Sequence, residues 1–343
     1  MQPMEVADFY CGAGGLSAGA ILSGNKVRVG VDMDSTALRH WAANTSGRAE
    51  CVVIVPGEGE NLPWPTPTPR THVHLSPPCT MLSKARAQTT EEERSGGLDE
   101  LRWCIEEVLR RGYTSFSVEN VSTPLTVDVA KEMRSKHCGR LDFLILDAAE
   151  YGSPSDRTRL IVSTPAIVKH LKEVPVKRVS VRQAFEAEGL TLPATHIKNN
   201  TRARDGSPCV RSVEQSSQTV VGSHPLTWCK RDGTTVRCLN VRESAVLMGF
   251  PSNWELPKGQ RVGVLAVGNA IPPPLAKSIL QAASAHSESS NAAEGGGDCV
   301  DTDVSDEEQV APAQDYCEAG EACVGDSDSV YNSDDEDGPL IMR

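Results

Sequence analysis

The folding options of this chain are narrowed most by the stretch Leu75-Ser76-Pro77-Pro78-Cys79-Thr80-Met81-Leu82-Ser83. Residues 71–75 alternate as a strand does, and two prolines then stop it. Proline removes a ladder donor and restricts the residue before it, so Ser76-Pro77-Pro78 is expected to form a rigid extended turn. Cys79 would then leave the C-terminal end of a strand on a stiff stalk, at the edge where open α/β sheets bind their ligands. An isolated cysteine is more often a small buried hydrophobe. Four further stretches, each supplying something a thiolate nucleophile needs, argue against that reading here.

The first lies at the start of the chain. Residues 5–10 read as a strand broken by Cys11-Gly12-Ala13-Gly14-Gly15, and residues 16–22 have helical composition. Strand, glycine-rich turn and helix make a nucleotide-type loop, in which backbone approaches the ligand closely. A second strand over 26–31 runs into Asp32-Met33-Asp34, about twenty residues past the glycines, where an acid can accept ribose hydroxyls. The full Gly-x-Gly-x-x-Gly spacing of a dinucleotide loop is missing. A cofactor with an adenosine half fits better.

Helix is expected over 35–44, a third strand over 51–55 and loop over 56–69. The polar, Glu-rich residues 85–97 show no periodicity and read as loop, followed by an amphipathic helix over 98–110. A strand over 114–118 leads into Glu119-Asn120-Val121, and a further strand spans 141–146. Asp156-Arg157-Thr158-Arg159 opens another strand, with two arginines at i and i+2 on one side. Residues 169–241 are polar and rich in basic side chains such as Arg202, Arg204 and Arg211, which suggests a small inserted module facing a polyanion. Residues 242–251 read as a helix closed by Gly249-Phe250-Pro251. Gly268-Asn269-Ala270 turns into a last helix over 275–283.

Charge divides the chain. Of its 46 acidic residues, seventeen lie from Ala285 onward against one basic residue, leaving 33 basic and 29 acidic residues in the body. A mildly basic body can hold a polyanion, while the Ser-, Gly-, Asp- and Glu-rich segment 285–343 cannot build a core and is expected to be disordered. Eleven cysteines without a Cys-x-x-Cys pair argue against a disulfide framework or a zinc cluster and for a reducing compartment. There is no eighteen-residue apolar run and no signal-like N-terminus. An intracellular protein without a membrane partner is therefore expected, with nucleus and cytoplasm both open.

Taken in order, these stretches resemble the DNA (cytosine-5) methyltransferase family over residues 5–284. Asp8 to Gly15 is similar to its first cofactor motif, Pro77-Pro78-Cys79 to its nucleophile motif and Glu119-Asn120-Val121 to its Glu-Asn-Val. Arg157-Thr158-Arg159 is similar to its Arg-x-Arg, and Arg242-Glu243 through Gly249-Phe250-Pro251 and Gly268-Asn269-Ala270 to its closing motifs. The resemblance implies an α/β fold: a Rossmann-like S-adenosylmethionine-dependent sheet over 1–168 and 242–284, a target-recognition module over 169–241 and a tail from 285. It implies that the Cys79 thiolate adds to carbon 6 of a flipped-out cytosine, activating carbon 5 for the methyl of S-adenosylmethionine. Neighbouring positive charge would lower the thiol's pKa. Glu119, followed by Asn120, would hold ring nitrogen 3 and the exocyclic amine. Arg159, with Arg157 beside it, would bind the carbonyl oxygen, and Ser83 would belong to a closing loop.

By the same resemblance, Tyr10, Gly12, Gly14, Gly15, Asp32, Met33, Asn269 and Ala270 would form the cofactor pocket. Double-stranded DNA would be the partner of a monomeric enzyme. The chain departs from the family at Ser155, usually Gln, and at Met33, often aromatic; Glu58 or Glu60 would stand in for an acid facing adenine. Two other readings share these motifs. A tRNA-methylating relative would carry a Cys-Phe-Thr signature, absent here, and a catalytically silent relative would tend to lose the cysteine or the glutamate. A Rossmann oxidoreductase would explain only the first loop.

Overall fold

The computed structural model describes residues 2–79, 82, 89–202 and 206–293, with the side chains at 201 and 289–293 left aside. Ser83, Arg204 and residues 294–343 of the tail expected to be disordered from 285 lie outside the described residues, while residues 285–293 continue the last helix instead. The chain runs β1 (Glu5–Phe9), α1 (Gly15–Leu22), β2 (Lys26–Asp32), α2 (Ser35–Asn44), β3 (Arg48–Cys51), β4 (Thr71–Leu75), α3 (Glu91–Arg110), β5 (Phe116–Val121), α4 (Pro124–Lys136), β6 (Asp142–Asp147), β7 (Thr158–Ser163) and α5 (Pro165–Glu173). There follow α6 (Val181–Ala187), β8 (His196–Arg202), β9 (Pro208–Ser212), β10 (Thr227–Cys229), β11 (Thr235–Cys238), α7 (Val241–Met248), α8 (Gln260–Asn269) and α9 (Pro273–Ala293).

Strands β1 to β7 form one sheet in the order β3-β2-β1-β4-β5-β7-β6. All neighbours are parallel except β7, which runs antiparallel to β5 and β6. This is the α/β, Rossmann-like sheet that the resemblance implied. Its geometry gathers function at one rim. The parallel strands β1, β2, β4 and β5 end where β7 begins, and Val121 pairs with Arg159 there. Alternation along β1 shows the two layers. Ala7 and Phe9 pack into a core with Leu101, Ile105 and Val129 of α3 and α4. Val6 packs into a second core with Leu16, Ile279 and Leu280 of α1 and α9.

Strands β8 to β11 form a separate antiparallel sheet in the order β11-β10-β8-β9. Trp228 of β10 is fully buried and meets Phe185 edge-on, with ring centroids 5.3 Å apart. Their core also takes in Val246 and Met248 of α7, Val267 of α8 and Ala13 and Ala18 beside the glycine loop. The small sheet thus shares its apolar interior with the C-terminal helices and packs against the first loop. The residues read as beginning the module, from 169, start within α5, which packs on β6, β7 and α9.

Several boundaries differ from the sequence reading, each for a local reason. The third strand lies at Arg48–Cys51 rather than 51–55, because β2 ends at Asp32 and its last pair is Asp32 with Cys51. Beyond it the chain leaves the sheet, with Val53 and Val55 exposed. The Glu-rich run read as loop to residue 97 is helical from Glu91. Thr90 Oγ1 accepts from Glu93 N (3.1 Å) and Glu93 Oε2 accepts from Thr90 N (2.9 Å), a reciprocal cap. Acidic residues there complement the positive end of a helix and do not signal a loop. Strand β5 runs through Val121, so Glu119 and Asn120 are ladder residues.

Candidate active site

A cavity of about 310 Å³ opens at the rim, between the ends of β1, β2, β4 and β5 and the turn joining α8 to α9. Of the residues singled out from sequence, Cys79 and Glu119 line one part of it. Tyr10, Gly12, Gly15, Asp32, Met33, Asn269 and Ala270 line the rest. Four others act from outside the wall.

The stalk is as rigid as its prolines implied, and it is pinned from below. Asn120 Nδ2 donates to the Pro77 carbonyl (3.3 Å) and its Oδ1 accepts from Val121 N (2.8 Å). Ser76 N donates to Phe9 O and Ser76 Oγ to Tyr10 O, tying the stalk to β1. Asn120 therefore bears on the backbone two residues before Cys79. Beside it, Arg159 Nε meets Glu119 Oε1 at 2.7 Å, with both side chains only 10% exposed. Such a pair holds each partner's orientation more than it adds stability, because both ions have lost water.

Arg157 has another job than standing beside Arg159. Its Nη1 donates to Val220 O (3.0 Å) and its Nη2 to Gly268 O (2.9 Å), so the buried guanidinium joins the end of the small sheet's region to the α8 terminus. Both terminal nitrogens are occupied by backbone, because Arg157 precedes β7 and turns toward that junction.

Electrostatically, the thiol departs from expectation. Burial pushes Cys79 above the usual thiol value; Arg159 and Arg157 pull it down, and Glu119 pushes it up again. The arginines offset desolvation without overcoming it, and Glu119 neutralises Arg159. In the free protein Cys79 is a protonated thiol.

The rest of the cavity suits an adenosine-bearing molecule. Gly12 and Gly14 have φ of +47° and +79°, conformations that a side chain disfavours. A β-carbon on Gly14 would lie 2.9 Å from the Trp254 ring, and one on Gly15 would collide with the Ile271 carbonyl. Gly14 thus lets two tryptophans close behind the loop, and does not line the cavity itself. Asp32 accepts from Gly12 N (2.8 Å) and Asp34 N (2.9 Å), leaving further lone pairs toward the cavity. Burial pushes its carboxyl up, against those amides. Met33 is 56% exposed at the mouth, and Val52 and Ile54 supply an apolar wall. The residues present fit S-adenosylmethionine.

Glu58 and Glu60 do not reach this cavity. Glu60 is tied to Arg110 at 2.6 Å and to Arg111, on the far side of α3, and Glu58 is exposed. Sequence reasoning missed Glu100, which lines the wall from α3 and accepts from Tyr10 OH (2.8 Å). It also missed Asp8, fully buried, which accepts from Ser17 Oγ (2.6 Å). Glu100 precedes the apolar ridge Leu101, Ile105 and Val108 by one residue, and that position was its one available signal. Among the described residues no cluster of side chains could hold a metal ion, and no helix is long and apolar enough to cross a membrane.

A sheet of this order with a glycine loop and a cysteine stalk at its rim defines a methyltransferase of the Rossmann-like class. The model of C-5 cytosine-specific DNA methylases matches residues 4–188 and 167–285, and the chain belongs to that family. Among solved structures, a prophage-encoded candidate DNA modification methyltransferase from E. coli is similar at 18% identity and a TM-score of 0.56. The match covers 81% of this chain and 98% of that one. The S. pombe Dnmt2 methyltransferase is 17% identical with a TM-score of 0.51, over 84% and 99% of the two chains. The Entamoeba histolytica methyltransferase EhMeth is 15% identical with a TM-score of 0.52, over 82% and 98%. These likenesses are of fold. No curated protein matches the sequence.

Proposed function

We propose that this protein is a DNA (cytosine-5) methyltransferase that works through a covalent bond from Cys79 to its target base. The observation that carries the reading is that Cys79 and Glu119 line one part of a cavity whose other part suits adenosine, with Arg159 paired to Glu119 from outside the wall. S-adenosylmethionine, when bound, supplies an electrophilic methyl group. Gly12, Gly15, Asp32 and Asn269 would hold it, with Tyr10 against it. A base in a stacked duplex cannot enter such a cavity, so the cytosine would be flipped out.

The chain's residues then divide the work. Cys79 would give up its proton to solvent as the base docks, and its Sγ would then form the bond to carbon 6 while the 5,6 π electrons shift toward ring nitrogen 3. The raised thiol means that deprotonation belongs to the bound state, where Glu119 turns toward the ring and no longer neutralises Arg159. Glu119 would accept from the exocyclic amine and bear on ring nitrogen 3. Arg159 would face the carbonyl oxygen, a preorganised electrostatic contribution of about 3 kcal/mol. Asn120 keeps the stalk in register throughout. After carbon 5 has taken the methyl group, its proton would pass to solvent, the C–H electron pair would restore the 5,6 double bond, and Cys79 would leave as a thiolate.

The test is transfer of labelled methyl to duplex DNA and to tRNA in parallel, with bisulfite sequencing of the DNA product. Labelled DNA supports the reading and reads out the target sequence. Label in tRNA alone would move the substrate to RNA, and label in neither, with the cofactor still bound, would make the chain a silent binder.

A further inference from the structure

The cavity has five carboxylates in its wall, and four of them are accounted for. Asp8 is met by the Ser17 hydroxyl, Asp32 by the amides of Gly12 and Asp34, Asp34 by Thr36 N and Ala37 N at the start of α2, and Glu119 by Arg159. Glu100 differs. Among the described residues its carboxylate has no cation and no amide, only the neutral Tyr10 hydroxyl on Oε1. Its neighbours are the buried Cys104, 3.8 Å from that hydroxyl, and on the same side of the sheet the half-buried Val52 and Ile54. A carboxylate in such company is costly unless a donor completes it.

The surrounding structure is arranged to keep it there. Tyr10 has φ of +59°, an uncommon conformation for a side-chain-bearing residue. Its ring is fixed at the far end by Glu100, so strained backbone and carboxylate are held as one unit. Burial also raises the Glu100 carboxyl above its usual value. Apolar walls from Val52, Ile54 and the Tyr10 ring suit a flat ring, and an acceptor at its edge suits an amine on that ring.

We propose that Glu100 reads the exocyclic amine of the cofactor's purine and so sets the enzyme's preference for an adenosyl over an inosyl cofactor. This rests on the cofactor assignment above. The remaining oxygen of Glu100 accepts from the amine, and the Tyr10 hydroxyl orients the carboxylate without competing for that oxygen. An inosyl ring would present a carbonyl to the carboxylate, two acceptors facing each other.

The experiment is calorimetric titration of the full chain with S-adenosylhomocysteine and with S-inosylhomocysteine, for the wild type, Glu100→Gln and Glu100→Leu. The wild type is expected to bind the adenosyl ligand at least about tenfold more tightly, the worth of one hydrogen bond to a charged acceptor. Glu100→Gln can donate to the inosyl carbonyl and should bring the two affinities close together. Glu100→Leu should weaken the adenosyl ligand selectively. Protonation should blur the preference in the wild type as pH falls, and should have no such effect in the variants. An adenosyl preference that survives both substitutions overturns the proposal and leaves Glu100 as an anchor for Tyr10. Absence of S-adenosylhomocysteine binding to the wild type would overturn the cofactor assignment itself.

Discussion

Removing one partner of the Glu119–Arg159 pair should change stability and thiol reactivity together, and in a pattern no packing defect would copy. The two side chains meet at 2.7 Å with 10% exposure each, so Arg159→Met leaves a desolvated carboxylate and Glu119→Gln leaves a desolvated guanidinium. Breaking a buried pair from either side costs about 3 kcal/mol or more, whereas replacing both partners by neutral groups recovers much of it. In a double-mutant cycle the coupling should therefore be about 2–3 kcal/mol, and each single variant should melt about 5 °C lower. Thiol behaviour should split by sign. Glu119 pushes Cys79 up and Arg159 pulls it down. The pH profile of iodoacetamide alkylation at Cys79 should then move to lower pH in Glu119→Gln and to higher pH in Arg159→Met. The other cysteines are left in place and the modified site is read by peptide mass. If both variants move the profile the same way, or the coupling is below about 0.5 kcal/mol, the pair does not govern the thiol and the electrostatic account is wrong.

Asn120→Ala frees the Pro77 carbonyl and should cost about 1–3 kcal/mol; it should slow methyl transfer while leaving S-adenosylhomocysteine affinity unchanged in calorimetry, since Asn120 lies outside the cavity. Acid stability should depend in part on the buried His72 and His74 on β4, both with pKa lowered to about 3 by burial, and in the opposite sense on Asp8, raised to about 7 by burial. The histidines cost stability as pH falls from about 6.5 toward 3, and Asp8 costs it as pH rises from about 4 to 7, each at about 1.4 kcal/mol per unit. Urea unfolding between pH 6.5 and 4 should therefore show Asp8→Asn losing stability more steeply than the wild type as pH falls, and His72→Gln less steeply; a slope unchanged in both variants would refute the assignment.

The placement of Cys79, Glu119 and Arg159 at one rim was legible because its signals are local. Two prolines after an alternating run dictate a stalk whatever surrounds it, and Glu119 and Arg159 could be placed at strand ends from their neighbours alone. What was not legible depends on which elements meet. Arg157 looked like a twin of Arg159 at i and i+2, yet the carbonyls that claim it belong to residues 63 and 111 positions away. Glu100 fell inside the helix read over 98–110, but nothing local distinguished it from the other acids of that helix or showed which element it would face. Helical spacing carries Leu101, Ile105 and Val108 into the core, and only the packing of α3 against the sheet turns Glu100 to the cavity's edge. The charge on Cys79 was misjudged for a related reason. Counting arginines nearby predicts a lowered thiol, but burial and the carboxylate paired to one of them reverse the sign. A sequence shows which charged groups are present. Whether they act on a neighbour depends on which of them have already been neutralised, and that is a property of the packed rim.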